Sequence, residues 1–289
     1  MPIGWGNENW LVVAADGSRF VLKVGPPESA PKWSATGVAY RRAADLGVPA
    51  PRLLHFDPAC ADADGRVVRI FSWVEGSTSD QVITDGATSH RFFGALGAVV
   101  RTLHREVLPA FSSRLDGSAP SFRRWDGYVS DRFAQIADRA RAASAFTEAE
   151  LTGLEHEIDR LAAAVSPVVR PTLCHRDLHL QNLLAHADGT LAGVLDFDCA
   201  EAWDPAVDLV KLRWQVFPRS AAAAEAFHRS YIRDDPLPEH WQERLRLVDL
   251  LELINAVANA CQLGDQGYEQ AARARLVTVL DRDQDTRWR

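Results

Sequence analysis

The chain of 289 residues has few lysines, no long apolar run and no closely spaced cysteines. No stretch approaches the roughly 20 apolar residues that span a bilayer, so we expect no membrane-spanning helix. The N-terminal segment MPIGWGNENW lacks the basic start and apolar core of a signal peptide, which predicts a cytoplasmic protein. Because no CxxC pair occurs, we expect free thiols in a reducing compartment at Cys60, Cys174, Cys199 and Cys261.

An excess of positive charge is also missing. The 32 basic residues are outnumbered by 39 acidic ones, giving a net charge of −7, which argues against a nucleic-acid-binding surface as the main function. Arginine has replaced lysine almost everywhere. The retained lysines are therefore candidates for positions that need a compact ammonium instead of a planar guanidinium. The three lysines are Lys23, Lys32 and Lys211.

What is present is the composition of a globular protein, with 47% hydrophobic and 25% charged residues. Residues 10–14 and 19–24 predict a hairpin around Asp16-Gly17, and a helix over 33–46 and a strand over 66–74 follow. Helical patterns then dominate, with strand-like segments over 172–182 and 191–197. The predicted helices span 89–107, 128–143, 147–165, 206–216, 220–232, 238–263 and 266–280. We therefore predict an α+β fold with a small β-rich lobe over residues 1–75 and a larger, mainly helical lobe over 76–289.

The most informative segment is Cys174-His175-Arg176-Asp177-Leu178-His179-Leu180-Gln181-Asn182. Its Asp177 and Asn182 are followed by Asp196, at the end of the apolar run 191–195. Phosphoryl transfer needs a carboxylate to orient and deprotonate the attacking hydroxyl, and oxygen ligands that hold Mg²⁺ on the phosphates. This ordered triple predicts Asp177 as the catalytic base and Asn182 and Asp196 as metal ligands.

His175 is a second catalytic candidate, expected to brace the loop by hydrogen bonds more than to move protons. A zinc site is the alternative for the nearby histidines and cysteine, because His175 and His179 are four residues apart. Such helix-based ligands need a helix, and no further ligand is obvious. The residues weighed for zinc are Cys174, His175, His179 and His186.

The nucleotide-binding candidates lie in the N-terminal region. A Gly/Asn-rich turn lets backbone N–H groups approach phosphate oxygens, and Lys23 ends an apolar strand where an anionic partner would justify its burial. The segment that ends the small lobe would contact the adenine through its backbone. The candidates are Gly4, Gly6, Asn7, Asn9, Lys23, Ser72 and Val74.

With these motifs placed, the chain resembles the aminoglycoside phosphotransferase family, which also covers macrolide, choline and homoserine kinases. The resemblance covers residues 4 to about 212 and rests mainly on His-Arg-Asp-Leu-His-x-x-Asn and Val-Leu-Asp-Phe-Asp. It implies a protein-kinase-like fold and places the base at Asp177, the metal ligands at Asn182 and Asp196, and the phosphate contact at Lys23. It also implies that Asp208 is a structural acid behind the catalytic loop, and that Asp198 replaces a protein-kinase glycine.

One departure from that family concerns the partner of Lys23. The family usually places a glutamate on the following helix, near Thr36 here, but residues 29–44 contain no acid. We expect that Glu28 or a rearranged helix serves, or that the nucleotide and Asp196 alone hold Lys23.

Three functions stay open at this point. The first is an Mg²⁺-dependent kinase that uses ATP or GTP to phosphorylate an antibiotic hydroxyl for resistance or self-protection. The second is a metabolic kinase for a small alcohol, sugar or amino alcohol, and the third is a nucleotide-binding module without catalysis. We expect a monomer or homodimer that binds neither nucleic acid nor a membrane.

Two sets of residues bear on the acceptor. Acids after Asp208 could attract a cationic acceptor, although interleaved arginines favour a solvated helix face. Several tryptophans could stack on a sugar or macrocycle, although core packing is their default role. The acids are Asp234, Asp235, Glu239, Glu243, Asp249 and Glu252, and the tryptophans are Trp125, Trp203, Trp214 and Trp241.

Overall fold

An antiparallel sheet forms the N-terminal part of the computed structural model, which describes residues 8–83, 86–233 and 237–281. Its strands are β1 (Glu8–Val13), β2 (Arg19–Gly25), β3 (Leu53–Cys60) and β4 (Arg66–Ser72), in the order β1-β2-β4-β3. The hairpin register pairs Asn9 with Lys23, so these two side chains share one face of the sheet.

Strand β3 was not predicted. Its side chains are mostly exposed or half-buried, and Pro58 interrupts the apolar pattern near a register shift between Asp57 and Cys60. Such a strand is tolerated because β3 lies at the edge of the sheet, where a missing N–H need not be paired.

Helix α1 (Ala30–Asp45) packs against this sheet through Trp33, Tyr40 and neighbouring small residues. The ring of Tyr40 lies 4.7 Å from that of Phe71 on β4 and 5.5 Å from that of Phe197. Helix α1 therefore connects the sheet to the segment that carries Asp196 and Asp198.

The rest of the chain is mainly helical. The capping box predicted at Thr147 is present, because Thr147 and Glu150 bond each other's backbone N–H at the start of α5. Helix α8 is buried on almost every side, which places it at the centre of this part. The helices are α2 (Ser79–Val82), α3 (Gly86–Arg105), α4 (Trp125–Ala142), α5 (Glu148–Val165), α6 (Val210–Gln215), α7 (Ala221–Ile232), α8 (Trp241–Leu263) and α9 (Gln266–Leu280).

Two small sheets carry the motif-bearing segments. Strand β6 (Thr172–Cys174) pairs with β9 (Glu201–Trp203), and β7 (Leu183–Ala185) lies between β5 (Ser77–Thr78) and β8 (Leu191–Val194). The strand-like pattern over 172–182 was therefore wrong beyond Cys174. The N–H groups of His175 and Arg176 bond to Asp208 instead of to a neighbouring strand.

The predicted α+β architecture is confirmed by this small antiparallel sheet and larger helical part. One hydrophobic core runs from Tyr40 and Phe71 to the centre of α8. Within the described ranges, no helix combines the length and the apolar character needed to cross a bilayer.

Candidate active site

The loop after β6 is fixed by a buried carboxylate. Asp208 is 1% exposed and accepts the backbone N–H groups of His175 (2.8 Å) and Arg176. The Nε2 of His104 donates to the same carboxylate at 2.9 Å. Burial alone would raise the pKa of Asp208, but these hydrogen bonds, led by that of His104, lower it below its ordinary value.

His175 is occupied on both ring nitrogens by backbone groups. Its Nδ1 accepts the N–H of Asp177 at 3.1 Å, and its Nε2 donates to the carbonyl of Leu195 at 2.7 Å. Its ring also packs 4.5 Å from that of Phe197. These contacts hold the loop against the segment of Asp196 and leave neither nitrogen available for zinc.

Asp177 and Asn182 lie side by side. The amide nitrogen of Asn182 donates to the carbonyl (3.0 Å) and the carboxylate (3.1 Å) of Asp177. The backbone carbonyl of Asn182 accepts the N–H of Leu195 at 2.7 Å, so the residue before Asp196 is bonded to this loop. The geometry therefore brings together the three residues that the sequence motif singled out.

Lys211, on α6, forms an ion pair with Asp177 and was not among the predicted site residues. Burial alone would raise the pKa of Asp177, but hydrogen bonding with His179 and the charge of Lys211 lower it well below its ordinary value. The signal that could have found Lys211 was the scarcity of lysine, because both Lys211 and Lys32 line the pocket beside Asp177.

Lys23 lies between two carboxylates. Its Nζ is 3.3 Å from Asp196 and 3.6 Å from Asp198, and its side chain is only 16% exposed. Asp196 adopts a left-handed conformation (φ 61°), as does Arg176 in the catalytic loop (φ 66°). Such backbone strain in residues other than glycine tends to occur at functional sites.

Asp198 takes the place of the missing helix glutamate. Arg69, which is fully buried on β4, binds the Asp198 carboxylate with two hydrogen bonds of 2.8 and 2.6 Å. Arg69 also donates to Thr36 at 3.1 Å and lies 3.8 Å from the ring of Trp33. Burial alone would raise the pKa of Asp198, but the charges of Lys23 and Arg69 lower it to about 2.

Of the alternatives expected for Lys23, the contact with Asp196 is present, Asp198 is an additional partner, and Glu28 takes no part in these ion pairs. The position near Thr36, where a glutamate was expected, instead supports Arg69 through the Thr36 hydroxyl. A cation from β4 thus fixes a carboxylate from the Asp196 segment, and that carboxylate in turn contacts Lys23.

The remaining nucleotide-side candidates are placed as follows. Asn9 is opposite Lys23 in the hairpin, and Ser72 exchanges two 2.9 Å hydrogen bonds with the backbone of Arg52. Val74 is half-buried against Gly193, where an added Cβ would lie 2.9 Å from its Cγ1. Gly4, Gly6 and Asn7 lie outside the described residues.

Asn182 and Asp196 suit a hard divalent cation. Both side-chain hydrogen bonds of Asn182 use its amide nitrogen, so Oδ1 is left as an acceptor, and Asp196 supplies a carboxylate from the segment bonded to this loop. Oxygen donors of this kind are the ligands that Mg²⁺ prefers. Across the described ranges, one His/Cys/Asp cluster of metal-binding size occurs, formed by His104, Cys174 and Asp208. Asp208 already bonds the catalytic loop, His104 already bonds Tyr231, and burial raises the pKa of the Cys174 thiol.

A pocket of about 520 Å³ opens beside Asp177. It lies between α1, the segment after α3, the catalytic loop, α6 and α8. On α8, Glu252, Asn255 and Asn259 form a half-buried stripe at helical spacing that faces it.

Some of the acids and tryptophans considered for the acceptor line the pocket, and others are buried elsewhere. Asp249 is 2% exposed and bound to Arg213 at 2.6 Å, so it is not part of a solvated face. Of the acids considered, Glu252 lines the pocket, and Asp234 and Asp235 lie outside the described residues. Trp214 also lines the pocket, whereas three other tryptophans are buried in the core: Trp125, Trp203 and Trp241.

Comparison with known proteins gives one family match. A model of the phosphotransferase enzyme family matches residues 1–247. A search of curated proteins found no match.

Several solved structures are similar in fold. A thermostable mutant of aminoglycoside phosphotransferase APH(4)-Ia, in ternary complex with AMP-PNP and hygromycin B, is 16% identical with a TM-score of 0.71, covering 97% of this chain and 92% of that one. A proposed fructosamine-3-kinase from Thermobifida fusca YX-ER1 is 18% identical with a TM-score of 0.68, covering 96% and 90%. A macrolide 2′-phosphotransferase type I is 17% identical with a TM-score of 0.61, covering 95% and 88%. At these identities the likeness concerns the fold.

Proposed function

The chain belongs to the phosphotransferase enzyme family, and we propose that it moves the γ-phosphate of ATP onto a hydroxyl group of a small-molecule acceptor. We assign nucleotide binding mainly to residues 1–75, and catalysis and acceptor binding mainly to residues 76–289. Two of the similar structures contain AMP-PNP or ADP, which supports ATP as the donor.

One observation carries this proposal. Asp177, Asn182 and Asp196 come from two segments joined by the hydrogen bond between Leu195 and Asn182, and Lys23 contacts Asp196 from the opposite sheet. A base, two oxygen ligands and a cation thus come from segments that are bonded to one another, and the base, Asp177, lines the pocket. A binding module without catalysis would not need the buried acid Asp208 to fix the base-bearing loop.

In the proposed mechanism the acceptor hydroxyl donates a hydrogen bond to the Asp177 carboxylate. Its oxygen forms the new bond to the γ-phosphorus while the bond from that phosphorus to the bridging oxygen breaks and ADP leaves. The hydroxyl proton passes to Asp177. Holding the hydroxyl and the phosphorus in line supplies most of the rate advantage, because little covalent chemistry is left to the protein.

Positive charge near the transferring group has two protein sources. Lys23 would contact the α- and β-phosphates, and Lys211 is close enough to Asp177 to face the developing charge on the phosphoryl oxygens. Asn182 and Asp196 would hold Mg²⁺, which when bound supplies further charge neutralisation on the phosphates.

The similar structures support two classes of acceptor. Similar structures include enzymes named for aminoglycosides and macrolides, which supports a natural-product antibiotic and hence resistance or self-protection. A structure named for fructosamine supports the second candidate, a small metabolic alcohol or sugar.

A coupled ADP-release screen tests the proposal. The purified chain with Mg²⁺ and ATP is offered aminoglycosides, macrolides, peptide antibiotics, choline, homoserine and sugars, and acceptor-dependent ADP release is expected for one class. Asp177→Asn and Asp196→Ala are expected to reduce that turnover by orders of magnitude while the melting temperature changes little. Near wild-type turnover in Asp196→Ala would contradict the proposal.

A further inference from the structure

The pocket beside Asp177 has an uneven balance of charge. Five cationic side chains line it against four carboxylates. The cations are Lys32, Arg114, Arg132, Arg176 and Lys211, and the carboxylates are Asp177, Asp198, Glu201 and Glu252.

Each of the four carboxylates already has a cationic partner in the chain. Asp177 pairs with Lys211, and Asp198 is bound by Arg69 through two hydrogen bonds. Arg176 contacts both Glu201 and Glu252 at 2.5 Å. A polycationic acceptor would have to compete with these largely buried pairs for every acidic contact.

The pairs around Arg176 are also braced from outside the pocket. The Arg176 guanidinium lies 3.9 Å from the ring of Trp203, and Glu201 accepts the hydroxyl of Tyr128 at 2.9 Å. Arg132 lies a further 3.6 Å from Glu201. Breaking such a buried ion pair costs more free energy than a new contact between one of its carboxylates and a ligand would supply.

Two of the lining cations lack such a partner. Among the described residues, neither Lys32 nor Arg114 forms an ion pair or a side-chain hydrogen bond, although the charge of Arg114 helps to lower the pKa of the exposed Asp116. Lys32 acts on Asp198 only at longer range. These two side chains stand on different walls, since Lys32 belongs to α1 and Arg114 follows α3.

The neighbouring Arg139 is affected by the same surplus of positive charge. Arg139 donates to Asn255, a pocket residue, at 2.7 Å. Burial and repulsion from Arg132 lower the pKa of Arg139 below its ordinary value. A negatively charged group in the pocket would relieve this repulsion, whereas a cationic one would add to it.

The position of Arg114 is fixed by its backbone. Its N–H donates to the Ser112 hydroxyl at 3.3 Å, and its carbonyl accepts that hydroxyl at 3.0 Å. Ser112 in turn exchanges backbone hydrogen bonds with Ala202 on β9. The backbone that carries the guanidinium is therefore held in place at the wall of the pocket, and substitution of the side chain leaves these backbone contacts intact.

We propose that the acceptor carries an anionic group, a carboxylate or a phosphate, and that Arg114 is its principal contact, with Lys32 on another wall as the second. This inference rests on the proposed function, because it assumes that the pocket beside Asp177 holds the acceptor. Arginine suits both anions, since its planar fork can bind two oxygens at once.

The test compares three monosaccharide probes that differ mainly in charge with one larger, cationic probe. Binding of glucuronate, glucose phosphate, glucose and kanamycin is measured by titration calorimetry at low ionic strength with AMP-PNP and Mg²⁺ present. We expect at least one anionic probe to bind about tenfold more tightly than glucose. The tighter of the two anionic probes decides between a carboxylate and a phosphate. If neither exceeds glucose, or if kanamycin binds best, the inference is wrong.

Two variants locate the effect. Arg114→Gln is expected to remove most of the advantage of the anionic probe, whereas Arg123→Gln, at an exposed arginine outside the pocket, retains it. An unchanged advantage in Arg114→Gln contradicts the role of that residue. A loss of AMP-PNP affinity in this variant would instead assign it to the nucleotide, which also overturns the inference.

Nucleotide binding separates the two proposals. If AMP-PNP binds wild-type protein and the charge preference is missing, the acceptor inference fails alone. If AMP-PNP does not bind at all, the proposed function fails with it.

Discussion

The ammonium of Lys211 pairs with the carboxylate of Asp177, so the proposed base is held by a cation that comes from a different part of the chain. Lys211 lies on α6, directly after the segment of Asp208 that fixes the backbone of the same loop. One stretch of sequence thus positions the loop and sets the charge around its functional carboxylate.

We expect Lys211→Met to raise the pKa of Asp177 toward its ordinary value near 3.9. The reason is that the lysine charge favours the ionised form, and its removal leaves burial, which favours the protonated form, opposed by His179. The acidic limb of the profile of kcat/KM against pH should therefore move to higher pH. Turnover at pH 7 should fall about a hundredfold, because the charge of Lys211 no longer faces the phosphoryl oxygens.

A carbon-13 NMR titration of the Asp177 carboxyl group checks the pKa without any acceptor. Lys211→Arg is the matched variant, because it keeps the positive charge and should keep the pKa low. Identical titration curves for wild type and Lys211→Met would show that the ion pair does not set this pKa.

The pairing of Asp198 with Arg69 should make a large contribution to stability. In Asp198→Asn the fully buried Arg69 would lose its charged partner, and we expect the free energy of unfolding to fall by about 3–5 kcal/mol. Urea unfolding at pH 7 measures this. Asp138→Asn is the control, because the ion pair of Asp138 with Arg141 is exposed and should contribute less than about 1 kcal/mol.

The same pair predicts a pH dependence. The pKa of Asp198 is lowered to about 2 in the folded chain, below the value of about 3.9 for an unfolded aspartate. Its contribution is therefore complete above about pH 4 and is lost as the pH falls toward 2. The difference in unfolding free energy between wild type and Asp198→Asn should shrink over that interval, and a constant difference would contradict the assignment.

Lys23→Met should weaken nucleotide binding more than it weakens the fold. Lys23 lies between Asp196 and Asp198 on the face of the sheet that also carries Asn9. Loss of its charge leaves these carboxylates to repel the phosphates, so we expect the Kd for AMP-PNP to rise at least tenfold. Calorimetry with AMP-PNP and Mg²⁺ measures the change, and an unaltered Kd would remove Lys23 from the nucleotide site.

The sequence supported the fold and the centre of the site because those features depend on local pattern. The hairpin and the helices α1, α3, α4, α5 and α7 have clear periodicity, and the catalytic triple is a motif with fixed spacing. The structure joins Asn182 to Asp177 and to the segment of Asp196 by hydrogen bonds, as that spacing suggested, and Asp177 lines the pocket.

What the sequence did not give are contacts between distant segments. Arg69 and Asp198 are 129 residues apart, and Lys211 and Asp177 are 34 apart. Neither pair has a periodic or local signature, so the substitute for the missing helix glutamate could not be read from α1 alone. Strand β3 was missed for a different reason, because an exposed edge strand shows no apolar alternation.

The close packing of α3 against α7 predicts that a small substitution between them lowers the stability of the fold. A Cβ added at Gly97 would lie 2.3 Å from the backbone carbonyl oxygen of Phe227 on α7, a distance that only movement of a helix could relieve. We therefore expect Gly97→Ala to lower the free energy of unfolding by about 1–3 kcal/mol, as overpacking of a core does.

Two other helical glycines serve as matched controls for that substitution. Gly94, one turn earlier on α3, would place its Cβ 3.5 Å from the Ser230 hydroxyl, an ordinary contact. The exposed Gly153 on α5 has no atom within 4 Å of the added Cβ, so Gly153→Ala should raise the unfolding free energy by about 0.5–1 kcal/mol through helix propensity. All three variants carry the same chemical change, so any difference between them in urea unfolding reports the space at each site. If Gly97→Ala proved as stable as Gly153→Ala, the close approach of α3 to α7 at Phe227 would be wrong.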